Sequence, residues 1–440
     1  MRELEFYICN GGKYPYVPHR DELGKTRFIT TPSKYYDDLY GQQIVEDYVE
    51  DTVFAERLGY DGAVIIEQHG GPNSLVGQSI TMTATIIAKT SRMRVGTVGA
   101  LMNSYLTPMR FAEEIATLDI LSKGRYFAGL PMGIGGNYHS LGVMNPTYAR
   151  ERFREAHDMM MAAFTSDAPF KWDGKFFQSE YVNLWPKPIQ KPGPEMWVPA
   201  AGSKDSLAFA AKHGYTYLAV LVPWPILLKN CQNFKQAVLN AGQDYDPRRI
   251  AATAFVHVAE TDKQARIEAE GHFMSVLQNS LGSPFHDSFP PGHVTPQSLR
   301  GMAAGGGYRS VDISKLTFED GIKSGQFIVG SPDTVAERIE EVTSQMDAGR
   351  LLMYPDGWTM PSWLVRKNMT IFAEEVMPRF RGRHGKPVWD RDEPGFAAIT
   401  RAEYAARRGP VPAVPTADIQ GVGRVDIRTS HIPELRVPLK

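Results

Sequence analysis

A carboxylate, an amide and an imidazole stand together at Glu67, Gln68 and His69. They follow Gly62 to Ile66, an uncharged run with three β-branched residues, and precede Gly70-Gly71-Pro72. A short run with no polar face is the pattern of a parallel strand covered on both sides. In α/β proteins, ligands bind just beyond the carboxyl ends of such strands. A hydrogen-bonding trio at that point is a candidate active site. The plainer reading is a polar strand end that caps the next helix.

A second constellation, Gly202-Ser203-Lys204-Asp205-Ser206, reads as a strand-to-helix junction. Free N–H groups at a helix start, the positive dipole end, a glycine and two hydroxyls favour a phosphate there. An ordinary serine cap would use the same residues. Lys204 adds charge or faces water. The glycine run Gly133 to Gly136 departs from Gly-x-x-x-x-Gly-Lys-Ser/Thr and lacks the acidic partner of a dinucleotide fingerprint. It reads as backbone room for a flat ligand, or as a flexible loop. His69, His139 and His257 are far apart, and neither His-x-x-x-His nor Cys-x-x-Cys occurs, which argues against a metal site. Cys9 reads as a small buried hydrophobe, and His257, inside a strand, as a satisfied core histidine.

These residues need a frame that gathers strand ends. Strand-like runs extend from Leu4 to Cys9, Gly62 to Ile66, Met93 to Met102, Arg125 to Pro131, Met196 to Ala200, Tyr217 to Val222, Ile250 to Ala259 and Leu351 to Tyr354. Helical spacing separates them, as from Ile44 to Leu58 before the stop at Gly59. Eight alternations in this order predict an α/β fold, a (β/α)8 TIM barrel, with an open doubly wound sheet as the alternative. Insertions follow strand one and strand seven, the latter from about Asn279 to Gln326 and rich in Gly, Pro and Ser. Phe327-Ile-Val-Gly330 resumes the pattern. The domain reading is a barrel over residues 1–378, then a Pro/Arg-rich C-terminal extension over 379–440 that is disordered or laid across the barrel or a partner subunit.

Composition bounds the function. The chain has 440 residues, 42% hydrophobic and 22% charged, as folded soluble proteins do. A net charge of −1 argues against nucleic acid or an anionic membrane as main partner. Two cysteines cannot build a disulfide framework. The start lacks a signal peptide's apolar core, and no window approaches a membrane span. The expected address is the cytoplasm.

Several segments resemble the bacterial luciferase-like family of flavin-dependent monooxygenases, the two-component, FMN-using group. They are Ala55-Glu-Arg-Leu-Gly-Tyr-Asp-Gly62 leading into the trio, Val95-Gly-Thr-Val-Gly99, Pro108-Met-Arg110, Thr117-Leu-Asp-Ile-Leu-Ser-Lys-Gly-Arg125, Val329-Gly-Ser-Pro-Asp333 and Phe372-Ala-Glu-Glu-Val-Met-Pro378. The resemblance runs from about Leu4 to Pro378. It implies a barrel that binds reduced FMN (FMNH2) from a separate flavin reductase and reacts with O2 to give a flavin C4a-(hydro)peroxide that oxygenates a substrate. It implies that Ser203 and Ser206, beside Gly202, bind the phosphate, and that Asn103 contacts the flavin ring. Val98 and Gly99 fall where some members carry a non-proline cis peptide under that ring. Glu67, Gln68 and His69 match the family's Glu-His-His.

Two departures stand out. Gln68 replaces the histidine usually assigned to catalysis; it can donate a hydrogen bond but is no base near neutral pH. Met132 replaces an arginine that some members use on the phosphate. His69 is then assigned the proton-handling role, Gln68 hydrogen-bond donation and Glu67 orientation. Two alternatives remain: deazaflavin-dependent hydride transfer on the same barrel, and a non-catalytic flavin-binding protein.

Other loops on the same face carry Asn10-Gly11-Gly12, the aromatics Tyr14, Tyr16, Phe28, Tyr35, Tyr36 and Tyr40, then Trp224, and Asp356-Gly357-Trp358. The aromatics suggest apolar walls, or packing of the barrel top. The scarcity of arginines on these loops argues against a strongly anionic substrate. The expected substrate is small and largely apolar, and the expected assembly a homodimer or larger homo-oligomer.

Overall fold

The computed structural model describes residues 3–18, 30–142, 145–220, 224–280 (278–280 as backbone), 292, 296, 300 and 316–381, and the backbone of 416–419 and 423–426. The chain divides into two compact units, Met1–Ala397 and Ala398–Lys440.

In the first unit, β1 (Glu5–Ile8), β2 (Gly62–Ile66), β3 (Arg94–Val98), β4 (Tyr126–Gly129), β7 (Glu195–Ala200), β8 (Thr216–Ala219), β9 (Ile250–Val258) and β11 (Arg350–Tyr354) form a closed parallel ring in that order. β9 closes it by pairing β8 at its start and β11 along its length. The barrel is therefore as expected, and all eight strand readings fall on ring members. β10 (Phe327–Gly330) is a ninth strand on the far half of β9.

Helices clothe the ring. They are α1 (Asp38–Leu58), α2 (Ser79–Lys89), α3 (Pro108–Ser122), α4 (Gly135–Leu141), α5 (Ala149–Thr165), α6 (Lys204–Lys212), α7 (Trp224–Asn240), α8 (Asp262–Ser280), α9 (Phe318–Lys323), α10 (Pro332–Met346) and α11 (Ser362–Ile371). α1 starts six residues before the apolar spacing begins, because the Asp37 carboxylate accepts from the Leu39 and Tyr40 N–H groups. It ends at Gly59 with φ 86°, a left-handed turn that glycine takes without strain. The glycine run read as a loop instead opens α4, where the Asn137 side chain accepts from the Ile134 N–H at 2.8 Å. A hairpin, β5 (Phe170–Asp173) with β6 (Gln178–Val182), was not expected. The insertion from Asn279 contains α9 at its far end; most of its residues lie outside those described. In the second unit, β12 (Thr416–Ile419) pairs antiparallel with β13 (Gly423–Asp426).

The barrel interior holds two layers. One is apolar and aromatic, with Tyr7, Phe127 and Trp197 meeting at centroid distances of 4.4–5.7 Å. The other lies at the strand starts and is ionic. The Glu195 carboxylate accepts from Arg94 at 2.6 Å, Arg350 at 2.5 Å, Thr216 at 2.8 Å and the Trp197 indole at 3.0 Å. Arg350 also donates to Glu5 at 2.9 Å. Glu5, Arg94, Glu195, Thr216 and Arg350 are the first residues of five ring strands. The strands thus share one level where the charges meet.

Burial alone would raise the Glu195 pKa, but Arg350 and Arg94 outweigh it and hold the carboxyl well below the usual range. A depressed pKa adds stability that is present above about pH 4.3, the unfolded value, and is lost as pH falls through the folded value. Glu195→Ala removes the carboxylate that two buried guanidinium groups share. It is expected to cost about 3–5 kcal/mol at neutral pH, with the deficit narrowing in acid. Chemical denaturation at pH 7 and pH 3 checks this; an unchanged midpoint at pH 7 would contradict it.

Candidate active site

Strands β2, β3, β4 and β7 are consecutive around the ring, so their carboxyl ends make one arc of its rim. Glu67, directly after β2, is held from two sides. Its Oε2 accepts from the Ser79 N–H at 3.0 Å and the Ser79 hydroxyl at 2.7 Å, and its Oε1 meets His69 Nε2 at 3.1 Å. Glu67 thus satisfies the start of α2, as the plainer reading of the trio expects, and also contacts the His69 imidazole. A carboxylate at Nε2 favours the tautomer with its proton there, leaving Nδ1 as the basic nitrogen. The Gln68 backbone N–H donates to Val76 at 3.0 Å. Its side-chain Oε1 is buried with no partner among the described residues.

Gly99 follows β3 and lies against Glu67. A Cβ there would sit 2.3 Å from the Glu67 nitrogen, so only glycine allows the approach. Val98 is buried in the barrel core. The Val98–Gly99 peptide is trans, contrary to the expectation of a cis bond; cis peptides among the described residues are Trp185–Pro186 and Lys191–Pro192. A non-proline cis bond costs about 3–4 kcal/mol, and the missing Cβ already provides the room. Asn103 is fully buried and donates to the Ala149 carbonyl at 3.0 Å, which ties it to the start of α5. Its Oδ1 has no partner among the described residues.

At the β7 end, Ser203 caps α6. Its Oγ accepts from the Ser206 N–H at 3.2 Å and donates to the Ser206 hydroxyl at 2.8 Å. Gly202 has φ 104°, and a Cβ there would strike the Asn230 amide. Ser206 lines a small half-open cleft of about 30 Å³ between α5 and α6. Leu130, Met132, Phe153, Val198 and Phe209 form its apolar wall. Two cations unforeseen in the sequence, Arg150 and Arg154, line it too, and Asp205 Oδ2 stands 3.9 and 3.5 Å from them. The signal was present as an i, i+4 arginine pair at the start of a helix. Lys204 is exposed and outside the lining. Met132, the residue in place of an arginine, supplies wall rather than charge.

The remaining candidates sort differently. Tyr14 is buried: its hydroxyl donates to the Tyr35 carbonyl and accepts from the Asp37 N–H. Tyr16 and Tyr40 stack at 4.0 Å and are half exposed, so these rings pack on one another. Phe28 lies outside the described residues. Trp224 opens α7 and bonds Gln345 of α10. Burial, then the Asp356 charge, pushes the Cys9 thiol up to about 12, the state of an inert cysteine. His257 is buried against Glu268 at 2.9 Å. Among the described residues no group of three His, Cys, Asp or Glu side chains could hold a metal ion, and no helix is long and apolar enough to cross a membrane.

Fold and rim together define a (β/α)8 barrel that carries, at its strand ends, a cleft lined by two arginines and a carboxylate–imidazole pair. The chain belongs to the luciferase-like monooxygenase family, whose match spans residues 28–348. Family membership makes it a monooxygenase-type oxidoreductase. It is 26% identical over 339 residues to limonene 1,2-monooxygenase of Rhodococcus erythropolis, covering 75% of this chain and 80% of that one. Its fold resembles the oxygenating constituent of 3,6-diketocamphane monooxygenase of Pseudomonas putida, a type II Baeyer-Villiger enzyme solved with FMN, at TM-score 0.64 and 20% identity over 86% of this chain and 98% of that one. The coenzyme F420-dependent tetrahydromethanopterin reductase of Methanopyrus kandleri shares the fold at TM-score 0.56 and 16% identity, over 86% and 99%.

Removing the Glu67 acceptor strands two donors at the start of α2. Glu67→Ala is expected to cost about 1–2 kcal/mol of stability, read by urea denaturation. A variant as stable as the parent would mean that the carboxylate does not cap the helix.

Proposed function

We propose that the protein is the oxygenase component of a two-component system that uses reduced FMN and O2 to oxygenate a small, largely apolar organic molecule. The observation that carries this reading is the α5–α6 pocket. Arg150 and Arg154 supply charge, Ser203 and Ser206 supply hydroxyls, and the start of α6 supplies free N–H groups, which together suit a phosphate. The rim from this pocket to β2 suits the flat remainder of a flavin. Gly99 bears no side chain there, while Asn103 Oδ1 and Gln68 Oε1 are buried acceptors without partners.

Reduced FMN, when bound, supplies the electrons for oxygen activation. The chain's own residues do the rest. Ser203, Ser206 and the two arginines hold the phosphate end, displacing Asp205 from the guanidinium groups. Asn103 accepts a ring N–H. The Gln68 amide donates to an oxygen at the reacting edge, where a histidine would otherwise stand. His69, fixed by Glu67, moves a proton at Nδ1. The apolar residues of the rim exclude water. A separate reductase supplies the reduced flavin, and the system works in the cytoplasm as a homo-oligomer.

A deazaflavin is the competing cofactor, since it too carries a phosphate. Titration of the full-length protein separates the two. FMN is expected to bind tighter than deazaflavin F420. Arg150→Ala/Arg154→Ala should weaken FMN by about tenfold or more while leaving riboflavin, which has no phosphate, unchanged. Tighter binding of F420, or equal loss for FMN and riboflavin, would contradict the assignment.

A further inference from the structure

The α5–α6 cleft proposed to hold the flavin phosphate carries an anion of its own. Asp205, the second residue of α6, lines it together with Arg150 and Arg154 of α5. Its Oδ2 stands 3.9 Å from Arg150 Nε and 3.5 Å from Arg154 Nη2. Among the described residues, these are the ion pairs that the two arginines make. The Asp205 side chain is 62% exposed, so the carboxylate stands on the solvent side of the cleft. The Ser203 and Ser206 hydroxyls are engaged too, with each other at 2.8 Å.

An acidic residue in the first turn of a helix is favoured by the dipole there, and that would account for an aspartate at this position. It does not account for a carboxylate set against two guanidinium groups of another helix. A hydrogen bond from them would span about 2.7–3.2 Å, so the contact is Coulombic and leaves the side chain free to move. Exposed pairs of this kind are weak, and a stronger anion can turn Asp205 away. A phosphate monoester carries close to two negative charges near neutral pH. Placed on the arginines, it meets the carboxylate as a like charge. Asp205 thus lowers the affinity of the cleft for phosphate without closing it. A flavin that one protein supplies and another uses must also leave after turnover, and a site with its own anion favours that exchange.

We propose that Asp205 competes with the flavin phosphate for Arg150 and Arg154 and so keeps the flavin exchangeable. This rests on the flavin reading and names how that site is regulated. Calorimetry on the full-length protein tests it with FMN, and with riboflavin as the probe that lacks a phosphate. Asp205→Asn should bind FMN about three- to tenfold tighter than the parent, with riboflavin unchanged. Asp205→Glu, which keeps the charge, should stay within about twofold of the parent. The gain should shrink at about 0.5 M salt and vanish in an Arg150→Ala/Arg154→Ala background. In stopped-flow displacement, FMN should leave Asp205→Asn more slowly by about the same factor. A merely structural role for Asp205 would not tighten one ligand alone. FMN affinity that is unchanged or weaker in Asp205→Asn, an equal gain for riboflavin, or a gain that survives without the arginines would each overturn the proposal. Failure of the parent to bind FMN would count against the flavin reading instead. Inorganic phosphate would then replace FMN in the same comparison, and the same pattern would uphold the competition, while no binding or no gain would overturn it.

Discussion

Glu195 gathers two arginines, a threonine hydroxyl and an indole N–H at the closed end of the barrel. A buried charge group of this kind is weak support for net stability, since burial removes each ion from water. Its stronger effect is geometric. Short strands that differ only by apolar side chains can slip in register. Here five of them begin on residues whose hydrogen bonds close at one level only. These five strands run only four to six residues, so their opposite ends also stand near one level and bring the polar residues after them to one rim. Everything argued about the active face depends on that alignment.

At the rim the chemistry is divided along the ring. The α5–α6 side brings two arginines against Asp205, while β2 offers an oriented imidazole and an amide. β1 and β11 bring Lys13, which Asp356 neutralises at 2.9 Å. Much of what makes the family's sequence signatures recognisable lies away from this rim. Glu56 accepts from the Ser91, Arg92 and Met93 N–H groups, and Asp61 from Arg381 and the Phe6 N–H. Asp119 accepts from the Gln190 backbone and side chain, and Arg125 donates to the Met93 and Thr90 carbonyls. These motifs build the barrel, which explains how they mark a family whose members act on different molecules.

Much of this was legible in the sequence. Gly62 to Ile66 reads as a strand because nothing in it tolerates water, and the structure ends it at the same residue. Gly59 and Ser203 punctuate helices through local backbone chemistry, and local rules found them. Arg150 and Arg154 were missed because two arginines one turn apart on a helix look like a solvated face; only the packing of α5 beside α6 turns them into a pocket wall. The Lys13–Asp356 pair was missed for a related reason. Its members lie 343 residues apart, and a lone lysine after a strand carries no signal of burial. β5 alternates apolar and polar residues over only four positions and β6 does not alternate, and α4 hides behind two glycines that helices disfavour. In each case tertiary contact overrode or supplied what local pattern lacked.

The central claim is that this rim directs oxygen from O2 into an organic substrate. Incubation with a flavin reductase, FMN and isotopically labelled O2, across cyclic ketones, alkenes and aromatics, tests it by mass spectrometry of the products. The account predicts a product bearing one labelled oxygen atom, formed only when reduced FMN is present. A product whose oxygen comes from water, or turnover that proceeds without O2, would contradict it.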